Sequence, residues 1–173
     1  MIINSLIKQG SKILKKQNIV SHQIDAELLL SKAIRKDRVF LLTNDENKVL
    51  PKETSNYLNF ILRRKQHEPL SYITKRKEFW SLDFNVNNNV LIPRPETEII
   101  VEQVVRRFKG KGSLNILDIG TGSGCILLSI LNELKNSYGI GIDKSSRALN
   151  IAKKNSKKLN LLRRTKFIHC DVD

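Results

Sequence analysis

The spacing of apolar residues changes along the chain, and each change predicts a different kind of element. In residues 2–16, Ile3, Leu6, Ile7, Ile13 and Leu14 recur at helical intervals with lysines on the other side, which predicts a short amphipathic helix. Ser21 can cap a second helix, where Asp25 and Glu27 lie early enough to favour the dipole and Leu28, Leu29, Leu30 and Ala33 are available for burial. Arg38 to Leu42 (RVFLL) predicts a third helical piece. Pro51 suits the first turn of a longer helix reaching about Gln66, with Tyr57, Leu58, Phe60, Ile61 and Leu62 on its buried side. Arg63, Arg64 and Lys65 close that helix as cations at the negative end of its dipole, a reading preferred to a nucleic-acid contact. Residues 1–73 therefore predict a small helical domain.

After Pro69 the texture becomes aromatic and β-favouring. Residues 77–86 (KEFWSLDFNV), inside a linker drawn at 74–92, predict a hairpin broken at Ser81. Phe79, Trp80 and Phe84 are expected to pack the hairpin and the join between domains, with a border to a substrate groove as the second use. Asn87 to Asn89 make a turn. Val90 to Pro95 (VLIPRP) is extended because each proline disfavours helix at the residue before it, and Arg94 is held between two stiff neighbours. A helix then opens at Glu96 and carries Ile99, Ile100, Val101, Val104, Val105 and Phe108 toward a core, while Glu96 and Glu98 complement its N-terminus.

The stretch from Leu114 to Gly124 (LNILDIGTGSG) organises residues 93–173. Leu114, Ile116, Leu117 and Ile119 predict a buried parallel strand, and Gly120, Gly122 and Gly124 a tight turn. Ile126, Leu127, Leu128, Ile130 and Leu131 resume at helical spacing, so the turn lies between a strand end and a helix start, where an open α/β sheet binds its ligand. The spacing is GxGxG and lacks the extra residue of the GxGxxG form that wraps a pyrophosphate, which disfavours a nicotinamide dehydrogenase. A small zwitterionic tail bearing a nucleoside, such as S-adenosylmethionine, fits better. Asp118 can orient the amino group of such a tail. A second strand, Tyr138 to Ile142, leads to Asp143, 19 positions after Gly124, where a ribose diol is gripped. Ser145 can cap a helix with Ala148, Leu149, Ile151 and Ala152 inward and Lys153, Lys154, Lys157 and Lys158 on a solvated face. Thr165 to Cys170 predicts a third strand, ending where Asp171 can meet an adenine amino group. The fold class is α/β, with three parallel strands and two crossover helices making half of a doubly wound sheet, so an exposed sheet edge and poor solubility or association are expected.

Composition changes this picture little. The 31 Lys and Arg against 17 Asp and Glu leave a net charge of +14, which suits polyanionic partners such as RNA or the ribosome surface. A codon bias toward A and T also enriches Lys, Asn and Ile, and that plainer explanation takes precedence. No run is long and apolar enough for a membrane span and the start lacks a signal peptide, so a soluble cytoplasmic protein without membrane partners is expected. Cys125 and Cys170 form no CxxC pair and are expected to be reduced, mostly buried thiols. His169 beside Cys170 is read as structural, because adjacent strand residues face opposite ways.

The motifs together resemble one family, the release factor N5-glutamine methyltransferases of the HemK or PrmC type. The resemblance runs through DAELLL at Asp25 to Leu30, HEPLSYI at His67 to Ile73, LIPRPETE at Leu91 to Glu98 and LDIGTGSGCI at Leu117 to Ile126. It implies that Gly120, Thr121, Gly122, Ser123 and Gly124 cradle the methionine end of S-adenosylmethionine, that Asp143 holds the ribose, and that Asp171 and Val172 line the adenine. The family often has an aromatic where Val172 stands. Arg94 and Glu96, in the IPRPETE segment, are the substrate-proximal candidates, and the helical domain and hairpin are expected to help dock the release factor. The family's NPPY motif, which holds the glutamine amide, does not occur here. An amide nitrogen is a poor nucleophile that must be aligned and held by acceptors, so no catalytic residue is assigned and little transfer is expected from this chain alone. It is expected to be the front part of a longer enzyme. Two alternatives stand beside this one: a nucleic-acid amino-methyltransferase, which the charge would suit and IPRPETE opposes, and a noncatalytic cofactor-binding fragment.

Overall fold

A computed structural model describes residues 1–171, which form two compact units, residues 1–74 and 75–171. The first is helical: α1 (Ile3–Lys15), α2 (His22–Ile34), α3 (Arg38–Thr43), α4 (Pro51–Lys65) and α5 (Leu70–Thr74). The α1 stripe buries Ile3, Leu6, Ile7 and Leu14 against Leu29 and Leu30 of α2 and Tyr57 and Ile61 of α4. Gly10 interrupts the stripe because the Tyr57 hydroxyl occupies the space beside it: a Cβ there would lie 2.0 Å from that oxygen. The hydroxyl donates to Leu6 O at 3.1 Å, and burial pushes its pKa far up.

Local start signals act unevenly. Asp37 caps α3 by accepting from Phe40 N at 2.7 Å, and the Glu53 carboxylate accepts Leu50 N at 3.2 Å ahead of Pro51. Ser21 stands at the N-cap of α2 without a side-chain cap bond. Asp25 and Glu27 do more than favour a dipole. Both are buried, Asp25 paired with Arg64 at 2.7 Å and Glu27 with Arg38 at 2.6 Å, so Arg64 binds across helices and does not merely close α4. The buried side of α4 is narrower than its pattern predicts: Tyr57 and Ile61 are enclosed, Leu58 and Phe60 are half-buried, and Leu62 is exposed. The short α5 lies in the stretch read from sequence as a motif alone.

The second unit begins with the antiparallel hairpin β1 (Arg76–Phe79) and β2 (Leu82–Asn85). Its two-residue turn, Trp80 and Ser81, has positive φ at both positions (53° and 54°), the geometry that usually selects Asn-Gly. Neighbours hold it there. Trp80 N donates to Glu98 at 2.9 Å and Trp80 Nε1 to Glu133 at 3.1 Å. Phe79 and Phe84 meet edge to face with ring centroids 6.2 Å apart, inside this unit's own core with Val101, Leu127, Leu128 and Leu131.

A 3₁₀ turn (Pro95–Thr97) and α6 (Glu98–Phe108) precede the sheet. Then follow β3 (Asn115–Ile119), α7 (Cys125–Glu133), β4 (Tyr138–Asp143), α8 (Ser146–Lys158) and β5 (Thr165–His169). The strands are parallel in the order β3-β4-β5. α7 packs on β3 and β4, α8 packs on β4 and β5, and the two helices touch each other. Gly139 lets α7 approach: a Cβ there would stand 2.6 Å from Leu127 Cδ1. Thr165, paired in register with Gly139, shares a 2.7 Å hydrogen bond with Ser156 of α8. Arg164 secures the end of α7, donating to the carbonyls of Leu131, Leu134 and Ser137 at 2.9 to 3.2 Å.

The opposite face corrects the expectation of a strand buried on both sides. Leu117, Ile119, Tyr138 and Ile140 are 57%, 58%, 54% and 39% exposed, because no described residue lies over them. Ile99 and Ile100 of α6, expected in the core, are likewise exposed, and only Val101 on that helix is enclosed. Cys125 is half-buried, whereas Cys170 is exposed against expectation, since it lies beyond the last pairing of β5. No helix among the described residues is long and apolar enough to cross a membrane.

Candidate cofactor site at the glycine turn

The strand end, the turn and the helix start are held by backbone bonds before any side chain acts. Gly120 N and Thr121 N both donate to Ile142 O at 2.9 Å, which ties the turn to the end of β4. Gly124 N closes the turn by donating to Thr121 O at 2.8 Å, and Leu128 N donates to Gly124 O at 2.9 Å to open α7. Gly120 and Gly122 hold φ of 73° and 55°, a region costly for other residues. A Cβ on Gly120 would meet nothing within 4 Å and one on Gly122 only Gly120 O at 3.9 Å. The protein's own packing thus leaves free the space that side chains here would enter, as a surface approached closely by a ligand requires.

The carboxylates order this turn. Asp143, at the end of β4, accepts Gly122 N on one oxygen and Ser145 N on the other, both at 2.8 Å. Ser145 in turn caps α8 through Ala148 N at 3.1 Å, as its position predicts. Asp118 accepts the Thr121 hydroxyl at 2.7 Å. Burial pushes the Asp118 pKa up, Asp143 adds to the rise, and the bonds from Thr121 and the Leu127 backbone oppose it. A carboxylate so placed gains from an arriving cation, such as an ammonium group. Burial also pushes the Cys125 thiol up, so it is not poised as a nucleophile.

Asp118, Gly120, Thr121, Gly122, Ser123, Gly124 and Asp143 are thus brought to one place. Thr121 and Ser123 are only 5% and 3% exposed, so the cradle presents backbone and not their hydroxyls. Asp171 is exposed just past Cys170, whose amide donates to Asp143 O at 3.2 Å. Val172 lies outside the described residues. Arg94 and Glu96 are exposed at the 3₁₀ turn, where Arg94 O accepts Thr97 N at 3.0 Å, and no hydrogen bond among the described residues joins either to the glycine turn. His169 Nε2 pairs with Lys144 O at 2.8 Å.

Sequence reasoning missed Asn155, which is fully buried and reaches both Ser123 O and Asn85. Its signal was available: Asn155 falls three and four positions after Ala152 and Ile151, on the apolar stripe of a helix otherwise dotted with lysines. Glu98 and Glu133 were missed as partners of Trp80, because their contacts are long-range.

Residues 5–74 match the family described as PrmC N-terminal domain and residues 110–173 match Methyltransferase domain. The release factor glutamine methyltransferase of Clostridium botulinum is 41% identical over 172 residues, covering 99% of this chain and 61% of that protein. The one from Leptospira interrogans is 44% identical over 156 residues, covering 89% and 54%. Among solved structures, a SAM-dependent methyltransferase from Geobacter sulfurreducens in complex with S-adenosyl-L-homocysteine is 28% identical, covers 45% of this chain and 30% of its own, and has a TM-score of 0.38. The chain spans 54% to 61% of the length of these two curated relatives, and over that span it is similar to release factor glutamine methyltransferases.

Proposed function

We propose that this chain binds S-adenosylmethionine at the glycine turn and serves the methylation of the release factor GGQ glutamine on its side-chain amide nitrogen. The observation that carries the reading is a turn with positive φ at Gly120, Gly122 and Gly124, open beside Gly120 and Gly122 and flanked by Asp118 and Asp143. The cofactor supplies an electrophilic methyl on a sulfonium. The chain's residues bind and orient it. The backbone of Gly120 to Gly124 lets the methionine end approach, Asp118 offsets the charge of its amino group, and Asp143 offers its remaining lone pairs to the ribose while holding the turn through Gly122 N. Asp171 is assigned to the adenine side.

The close curated relatives favour a release factor over a nucleic acid as the methyl acceptor. Residues 1–73 are assigned to docking that protein, residues 74–92 to the linker and 93–173 to the cofactor, with Arg94 and Glu96 nearest the substrate. The reading sets the chain in the cytoplasm; proximity to RNA or the ribosome is compatible with the +14 charge, for which codon bias remains the plainer explanation. Calorimetry with S-adenosylhomocysteine, followed by transfer of labelled methyl to a release factor bearing GGQ, tests the reading. Binding by this chain is expected, with transfer only when it is joined to the remaining length of its relatives. Absence of binding, or binding of NAD in its place, overturns the cofactor assignment; transfer to RNA and not to the factor overturns the substrate assignment.

A further inference from the structure

One side chain ties the glycine turn to the hairpin. Asn155, in α8, has no exposed surface. Its Oδ1 accepts Asn85 N at 2.7 Å and Asn85 Nδ2 at 2.9 Å, while its Nδ2 donates to Asn85 O at 3.0 Å and Ser123 O at 2.9 Å. Both donors and both lone-pair directions of the amide are used. The bonds to the N–H and C=O of Asn85 copy what a neighbouring strand would make with the end of β2, and the remaining N–H reaches a carbonyl inside the turn. An aspartate can imitate only the accepting half.

The turn is therefore fastened on two sides. Asp143 holds Gly122 N, and Asn155 holds Ser123 O one residue later. Fixing that carbonyl fixes the plane of the Ser123–Gly124 peptide, because the peptide unit is rigid. A buried, fully satisfied network keeps one geometry and transmits a change at either end.

We propose that Asn155 is a positioning residue for the cofactor, setting the Ser123–Gly124 peptide from the hairpin so that occupancy of the turn and order at the end of β2 are coupled. This rests on the reading that the turn binds S-adenosylmethionine. The coupling is reciprocal: a ligand that selects the shape of the turn also tightens the anchor on Asn85.

The test uses the whole chain and S-adenosylhomocysteine. Hydrogen exchange should slow several-fold at the Asn85 amide when the ligand is added. Asn155→Asp, which keeps the acceptor and loses both donors, should weaken binding about tenfold. Asn85→Ala leaves Ser123 held and should weaken binding by less than about threefold. A merely structural role would lower the melting temperature of Asn155→Asp and leave the affinity of its folded fraction unchanged, and that result overturns the proposal. Unchanged exchange at Asn85 in the wild-type chain overturns it as well, and decides alone should Asn155→Asp fail to fold. Failure of the wild-type chain to bind the ligand is a separate result: it removes the cofactor reading and this inference with it.

Discussion

Alanine at Gly10 separates local propensity from packing, because the two predict opposite signs. On helix propensity alone Gly10→Ala should stabilise α1 by about 1 kcal/mol. The structure reverses this, since the new Cβ would lie 2.0 Å from Tyr57 Oη and 2.9 Å from both Tyr57 Cζ and Ile61 Cδ1. The ring cannot simply swing into solvent, because Tyr57 is fully buried and bonded to Leu6 O at 3.1 Å. Displacing it leaves a buried hydroxyl unpaired, at about 1–3 kcal/mol, and overpacks the core for about 1–3 kcal/mol more. Set against the propensity gain, the net loss is roughly 1 to 5 kcal/mol. Urea denaturation followed by far-UV circular dichroism measures it, while fluorescence of Trp80, the single tryptophan, reports the second unit as an internal control. Tyr57→Phe deletes the oxygen in the closest contact. The Gly10→Ala/Tyr57→Phe pair should therefore be less destabilised than the sum of the singles, by about 0.5–3 kcal/mol. A Gly10→Ala chain as stable as wild type, or additive singles, refutes the packing argument.

Three further outcomes are expected. Gly120→Ala should lower stability by only about 1–2 kcal/mol, the cost of holding alanine in the left-handed region, since its Cβ meets no protein atom within 4 Å; calorimetry should show cofactor affinity falling, because the methyl occupies the ligand's space. Because the Asp118 pKa is raised in the folded chain, its contribution to stability is lost as pH rises from the unfolded value through the raised one; an ammonium group beside it reverses the preference, so S-adenosylhomocysteine should bind more tightly as pH rises through that window, and Asp118→Asn should flatten the profile. Arg64→Met leaves Asp25 buried without its partner and should cost about 3–5 kcal/mol in urea denaturation, whereas adding Asp25→Leu should return most of it.

Much of the fold was legible because its signals are local. The glycine turn announced itself by spacing, and Ser145 and Pro51 marked helix starts that the structure places there. Burial was legible only where an element has one partner. For Leu117 and Ile119 a run rich in apolar residues indicated cover on both faces, and the structure supplies one, while Ile99 and Ile100 point away from the face that Val101 buries. The partners in long-range polar contacts left no local trace, even where, as at Asn155, the helical stripe marked the burial. Asp25 lies 39 positions from Arg64, and Asn155 lies 70 from Asn85, so neither pairing could be read from its neighbours. Trp80 at positive φ violates the usual choice of turn residue, and the reason is the pair of distant glutamates that grip it.

The one-sided sheet has a consequence for how this polypeptide behaves in a tube. Leu117, Ile119, Tyr138 and Ile140 offer a water-facing apolar surface beside the border of β3, which pairs with no further strand among the described residues, and two such surfaces can shelter each other. Self-association then adds to the apparent folding free energy by mass action, so the melting temperature should climb with protein concentration. Replacing Ile140 with lysine should abolish that climb.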